Sequence, residues 1–406
     1  MTTRRRFLHS GLKLGIGGAL AAALPGVSFA ATPGAPRTPP FVVVILRGAL
    51  DGLAAVPPYG DDGYAHARGA IAIARPGGPQ GALDLNGFFG LHPALPLLHE
   101  RYVARELVVV HAAASAYRER SHFDGQNVLE NGGEHPSGSA SGWLNRALGA
   151  LPGHGADGLA LGQNVPLILR GPVPVGSWAP TSMPEVEPEL IERLRELYAG
   201  DATLASRLDE GTRIDALVSD DKSIGGDPMQ KAGGVVERLK AIAEAAGRMI
   251  AAPTGPRLAV MDAGGWDTHA GEGGAEGQLA GRLHGLDQVL DALRRGLGAE
   301  WPRTAILVCT EFGRTVEVNG TRGTDHGTGA AAFVLGGAVQ GGRVLADWPG
   351  LSPRERHEGR DQRPTTDLRA VAKALLRDHL KIPERALADV FPGASSVAAT
   401  RDLVRA

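Results

Sequence analysis

Residues Phe41–Leu46 read FVVVIL, an apolar run with no polar interruption. Runs of the same kind return at Leu107–His111 (LVVVH), Val165–Leu169 (VPLIL), Arg257–Met261 (RLAVM), Thr304–Thr310 (TAILVCT) and Ala332–Leu335 (AFVL). A strand with one wet face alternates polar and apolar residues. An unbroken β-branched run is instead buried on both faces, the signature of a parallel sheet. Helical patterns lie between several of the runs. In 278–298, Leu279, Leu283, Leu286, Leu290, Leu293 and Leu297 repeat at three or four residues and form one apolar stripe. Val235–Ile250 behaves similarly just ahead of the Arg257 run. The alternation predicts an α/β fold, a largely parallel central sheet flanked by helices on both faces.

The first thirty residues have another purpose. Thr3–Leu8 (TRRRFL) reads as a twin-arginine export signal, followed by an apolar segment from Leu12 to Leu24. Ser28 and Ala30 occupy the small-residue positions of a signal-peptidase site, which predicts cleavage after Ala30. The apolar segment is too short for a comfortable membrane span, so no stable span is expected after cleavage; an uncleaved anchor is the competing reading. The expectation is a periplasmic or secreted protein. Cleavage leaves 376 residues and, by removing four basic side chains and no acids, moves the formal charge from −2 to −6. No basic stripe remains for a nucleic acid. Cys309 is the lone cysteine, so no disulfide framework exists. Residues 31–40 (ATPGAPRTPP) read as a flexible lead-in, and 41–406 as one α/β domain. A charged, then Gly- and Asp-rich stretch around 184–232 reads as an insertion over one edge of the sheet. Residues 365–380 predict a closing helix with Thr366 or Asp367 near its N-cap. The sequence carries no sign of oligomeric state.

In an open parallel sheet, ligands bind in the crevice at the carboxyl ends of the strands. Asp51 follows the first run, in a Gly-flanked turn. Ser121, His122 and Asp124 follow the second, at the start of a predicted helix. Asp262, Asp267 and His269 follow the Arg257 run, in DAGGWDTH. Glu311, Arg314, Asp325 and His326 follow the Thr304 run. Singly, each has an ordinary explanation as a turn former, a helix cap or an ion-pair partner. Jointly, histidines and carboxylates on one rim are the donors that divalent metals take. His92 and His111 read as structural.

The motifs LRGALDGL (46–53), LHPAL (91–95), SHFDGQNVLENG (121–132), GGWDTH (264–269), TEFGRT (310–315) and GTDHGTG (323–329) occur in an order that resembles the DUF1501 family. That family is a twin-arginine-exported branch of the alkaline phosphatase/sulfatase-like superfamily, and the resemblance spans roughly 41–393. It implies an alkaline phosphatase-like fold, with Asp51, Asp267, His269, Glu311 and His326 as ligands of one or two divalent ions, zinc, manganese or calcium. It also implies Ser121 as a nucleophile at a helix N-terminus. The superfamily's adjacent Asp-His pair is replaced here by Glu311-Phe312. His122 would act as general acid or base, or stand in for the missing ligand. Arg314, or Arg118 and Arg120, would clamp anionic oxygens, and Asp325 would support His326. The implied activity is metal-dependent hydrolysis of phosphate or sulfate esters, on a small anionic ester or a polymer. Two alternatives stay open, a non-catalytic metal-dependent binding protein and a metal-free serine hydrolase using Ser121 with His122 or His269.

Overall fold

A computed structural model describes residues 37–151, 158–179, 188–219 and 235–405. The expected export signal and its cleavage point lie outside the described residues. So do residues 31–36 of the lead-in and residues 184–187 and 220–232 of the insertion.

The chain runs from β1 (Phe41–Arg47) and the short helix α1 (Gly52–Ala55) to β2 (Leu107–Ala114), α2 (His122–Asn131) and α3 (Trp143–Ala150). Next come β3 (Gly158–Leu161), β4 (Gly176–Trp178), α4 (Pro188–Tyr198), α5 (Ala202–Ser219) and α6 (Val235–Ala251). After them follow β5 (Leu258–Gly264), α7 (Gln278–Leu297), β6 (Ala305–Thr310), β7 (Ala330–Leu335), β8 (Arg343–Leu345), β9 (Thr366–Asp367) and α8 (Leu368–Ala374). These nine strands form one sheet, ordered β8-β2-β7-β6-β1-β5-β3-β4, with β9 also paired to β2. Every pairing is parallel except those of β7, which is antiparallel to both β2 and β6.

Strand β1 shows why the apolar runs are unbroken. Val42, Val44 and Leu46 face a core built with α6 and α7, while Phe41, Val43 and Ile45 face a second core built with α3 and α8. Both faces are therefore dry. All six leucines of the predicted stripe on α7 are buried in the first core; each contributes roughly 1.5–3 kcal/mol of burial. The helix stops at Gly298, whose φ of 50° lets its N–H reach the Arg294 carbonyl. Asp367 caps α8, as the sequence predicts, by accepting from the Arg369 N–H at 2.8 Å. The helix then gives way to a π-helical turn over Leu375–His379.

Two strand expectations are corrected. The Val165–Leu169 run is no strand; Leu167–Leu169 is a single 3₁₀ turn. Pro166 cannot donate to a ladder, and the sheet instead recruits Gly158–Leu161 and Gly176–Trp178 on either side. The Ala332–Leu335 run does lie in the sheet, but as an antiparallel strand.

Candidate metal centre

β1, β2, β5 and β6 point the same way, so the segments after them emerge on one rim. Because β7 runs in the opposite direction, segment 311–329 leaves β6 and re-enters the sheet at that same rim, which delivers His326. The turns touch closely. Gly48 has φ 118°, and a Cβ there would lie 2.7 Å from the Asp267 backbone nitrogen; only glycine permits that approach.

Arg314 knits the rim from inside. Its Nε donates to the Ala49 carbonyl (2.9 Å) and its Nη1 to the Thr324 carbonyl (2.9 Å). Its Nη2 donates to the carbonyls of Gly48 (2.8 Å) and Trp266 (3.2 Å) and to Asp267 Oδ1. At the mouth of α2, Arg120 has φ 64°, an uncommon conformation for a side chain this large. It turns the Arg120 carbonyl toward His326 Nδ1, which donates to it at 2.9 Å. Ser121 then caps α2 with extended backbone, its side chain making no cap bond, and His122 is the first helical residue.

The imidazoles of His122, His269 and His326 meet with Asp267. His326 Nε2 lies 2.9 Å from both His122 Nε2 and His269 Nε2, and 3.2 Å from Asp267 Oδ1. Asp267 Oδ1 is also 3.4 Å from His122 Nε2 and 3.1 Å from His269 Nε2. The ligand atoms of His122, Asp267 and His326 all lie within 4.8 Å of one another, and His269 approaches from the Asp267–His326 side. The opposite ring nitrogens are all tethered. His122 Nδ1 donates to Glu311 Oε1 (2.8 Å), His269 Nδ1 to Asp325 Oδ1 (3.1 Å) and His326 Nδ1 to the Arg120 carbonyl. A carbonyl or carboxylate oxygen can only accept, so each Nδ1 carries the proton and each Nε2 turns its lone pair inward. Lone pairs crowded in this way, beside a carboxylate, are donors that could hold a cation.

Charge is consistent with that geometry. Burial pushes Asp267 up, but the Arg314 guanidinium outweighs it and holds the carboxyl below the usual range. The Glu311 hydrogen bond raises His122 against the effect of burial. Burial, and then the neighbouring His122, lower His326.

Of the eight site residues expected from sequence, His122, Asp267, His269 and His326 come together. Four others sit differently. Asp51 is buried away from the cluster, its Oδ1 accepting from Leu53 N–H (2.9 Å) and Ala54 N–H (3.0 Å) and its Oδ2 paired with buried Arg68. Glu311 stands behind His122; its two oxygens accept from Gly48 N–H (2.9 Å), His122 Nδ1, Gln126 Nε2 (3.2 Å) and Thr310 Oγ1 (3.0 Å). Arg314 is buried with all its nitrogens engaged and has no face for a ligand. Ser121 stays beside the centre, half-buried at the helix start. The alternative clamps are engaged as well, Arg118 on the Ser115 and Tyr117 carbonyls and Arg120 on Asp361 (2.8 Å) and Glu358 (2.5 Å).

Sequence reasoning missed Glu272, Arg68 and Arg360. Glu272 Oε2 accepts from Thr268 Oγ1 (3.0 Å) and Thr324 Oγ1 (2.6 Å), tying together the two loops that carry Asp267, His269 and His326. Half-exposed Arg360 donates to the His326 carbonyl at 2.8 Å. None stands in a motif; only their position in space marks them. His92 and His111 are buried and bonded to the Gly274 and Val56 carbonyls at 3.0 and 2.8 Å.

Among the described residues no helix is long and apolar enough to cross a membrane. The chain is similar to Ps i-CgsB, solved in complex with k-i-k-neocarrahexaose, at 10% identity over 89% of this chain and 77% of that one, with a TM-score of 0.43. It is also similar to the phosphonate monoester hydrolase of Agrobacterium radiobacter, at 12% identity over 75% of this chain and 70% of that one, with a TM-score of 0.33. No curated protein matches it. Residues 109–391 match the family described as "Protein of unknown function (DUF1501)", a span that holds all four converging residues. With well over half of its length inside that match, the chain belongs to the DUF1501 family.

Proposed function

We propose that this protein is an exported, metal-dependent hydrolase of phosphate or sulfate esters, with His122, Asp267, His269 and His326 holding the cation. The observation that carries the reading is the inward convergence of three tethered imidazoles on Asp267 Oδ1. A divalent cation bound there supplies a Lewis acid for an anionic ester and lowers the pKa of a nearby hydroxyl or water. Ser121 is the nucleophile in this reading; its hydroxyl is uncommitted and it sits one residue before a ligand. The free N–H groups of the first turn of α2 face an ester oxygen. Arg360 is the rim cation for the remaining charge, since Arg314 is sealed inside. The substrate is a small anionic ester or an anionic polymer.

Metal-replete protein is assayed on chromogenic phosphate mono- and diesters and sulfate esters. Turnover of at least one class is expected, and Ser121→Ala lowers it by several orders of magnitude. One observation favours a second reading, a metal-dependent binding protein. The cation that the resemblance would aim at a substrate, Arg314, is spent on the protein's own carbonyls. Bound metal with no turnover across the panel selects that reading. A metal-free serine hydrolase is disfavoured because, among the described residues, the ring nitrogens of His122 and His269 make their hydrogen bonds to Glu311, Asp325 and His326 and none to the Ser121 hydroxyl.

A further inference from the structure

We infer that the centre holds one ion, not two, and that it selects a borderline first-row divalent cation such as zinc over calcium or magnesium. This rests on the metal centre proposed above but not on its ester chemistry.

The count follows from where the remaining carboxylates are spent. The carboxylates that the family resemblance offers to a second ion on this rim are Asp51 and Glu311. Asp51 gives Oδ1 to two backbone amides and Oδ2 to Arg68, which is itself fully buried. Glu311 accepts from four donors across its two oxygens. Both groups lack a free lone pair aimed at solvent. Charge points the same way. Two buried guanidiniums already neutralise this part of the rim, Arg68 beside Asp51 and Arg314 between the Gly48–Ala49 turn and Asp267. A second cation would have to displace an arginine that holds the loops together.

The choice of metal follows from the donors. Three imidazole nitrogens and one carboxylate oxygen suit zinc and its neighbours, whereas calcium and magnesium take oxygen ligands almost throughout. Two ligands bonded to one zinc at about 2.0–2.1 Å stand about 3.3 Å apart in a tetrahedron. The inward-facing atoms of His122, Asp267 and His326 are separated here by 2.9–3.4 Å, and His269 Nε2 joins from the far side, 2.9 Å from His326 Nε2 and 3.1 Å from Asp267 Oδ1. The Nδ1 tethers add to the selectivity by fixing all three rings in the tautomer that offers Nε2.

Metal-stripped full-length protein is titrated with Zn²⁺ by calorimetry and, separately, with Co²⁺ followed by visible absorption and proton NMR. Zn²⁺ binds with one equivalent per chain, and calcium in large excess fails to displace it. The Co²⁺ form shows three strongly shifted imidazole N–H resonances, from Nδ1 of His122, His269 and His326. Glu311→Gln keeps one equivalent but weakens affinity about 10–100-fold, as loss of a tether should. Asp51→Asn keeps both stoichiometry and affinity. Two equivalents in the wild type, displacement by calcium, or fewer than three shifted N–H lines overturns the inference, even if Asp51→Asn fails to fold. One equivalent bound without ester turnover leaves it standing and removes the hydrolase reading. Turnover with two equivalents does the reverse.

Discussion

His122 owes its place to the two residues that follow β6. Glu311 accepts from its Nδ1, and Phe312 stacks on its ring at 5.0 Å between centroids. Where the superfamily resemblance calls for an Asp-His pair contributing ligands directly, this chain has a pair that orients a histidine from another element. Arg314 is the other decisive residue. Its buried guanidinium satisfies four carbonyls and Asp267 at once. Arg314→Leu strands those acceptors, and we expect a loss of about 3–5 kcal/mol in urea unfolding. Arg314→Lys keeps the charge but not the planar fork. It should fold with a smaller loss and bind metal more weakly; unchanged metal retention by either variant would contradict the bracing role.

At the scale of elements, the rim loops are held to one another by buried side chains. Glu272 joins the Thr268 and Thr324 loops and lies beside the Asp51–Arg68 pair. Burial, reinforced by the Asp51 charge, pushes its carboxyl up to about 8. The folded state therefore holds a proton that the unfolded chain releases near the ordinary glutamate value of about 4.3. Stability should fall as pH rises from there toward 8. Glu272→Gln reproduces the neutral form, with an oxygen for both threonine hydroxyls, and should flatten that decline. The measurement is the urea midpoint at several pH values, with parallel slopes in wild type and variant counting against this account.

For the whole molecule, the four converging side chains come from three separated segments, so a bound ion closes long loops in the folded state alone. Metal at about 100 times its Kd should stabilise by roughly 2.7 kcal/mol. A chelator should lower the thermal midpoint of the wild type and leave His326→Ala unmoved. Equal chelator sensitivity in both would place the ion elsewhere. Export is tested on the intact cell: Arg4→Lys with Arg5→Lys should keep the precursor in the cytoplasm, and continued appearance outside it would rule out the twin-arginine route.

The sheet and its long helices were legible in the residues because periodicity and burial on both faces are local properties of a segment. FVVVIL reads as a doubly buried strand wherever it lies, and the leucine stripe of α7 as one helix face. The rim was legible too, since ligand-capable residues follow strands that share a direction. The strands GLAL and GSW at one end of the sheet were not, because short Gly-containing segments become strands only when a neighbour offers a free edge. Nor could the residues alone say which carboxylates face a cation and which face an arginine. Asp51 meets Arg68, Glu311 meets His122 and Arg314 meets Asp267, with 16, 188 and 46 residues intervening respectively. A carboxylate carries the same donors and charge in either role; its role is assigned by the partner that the fold brings within 3 Å, and only the tertiary structure makes that choice.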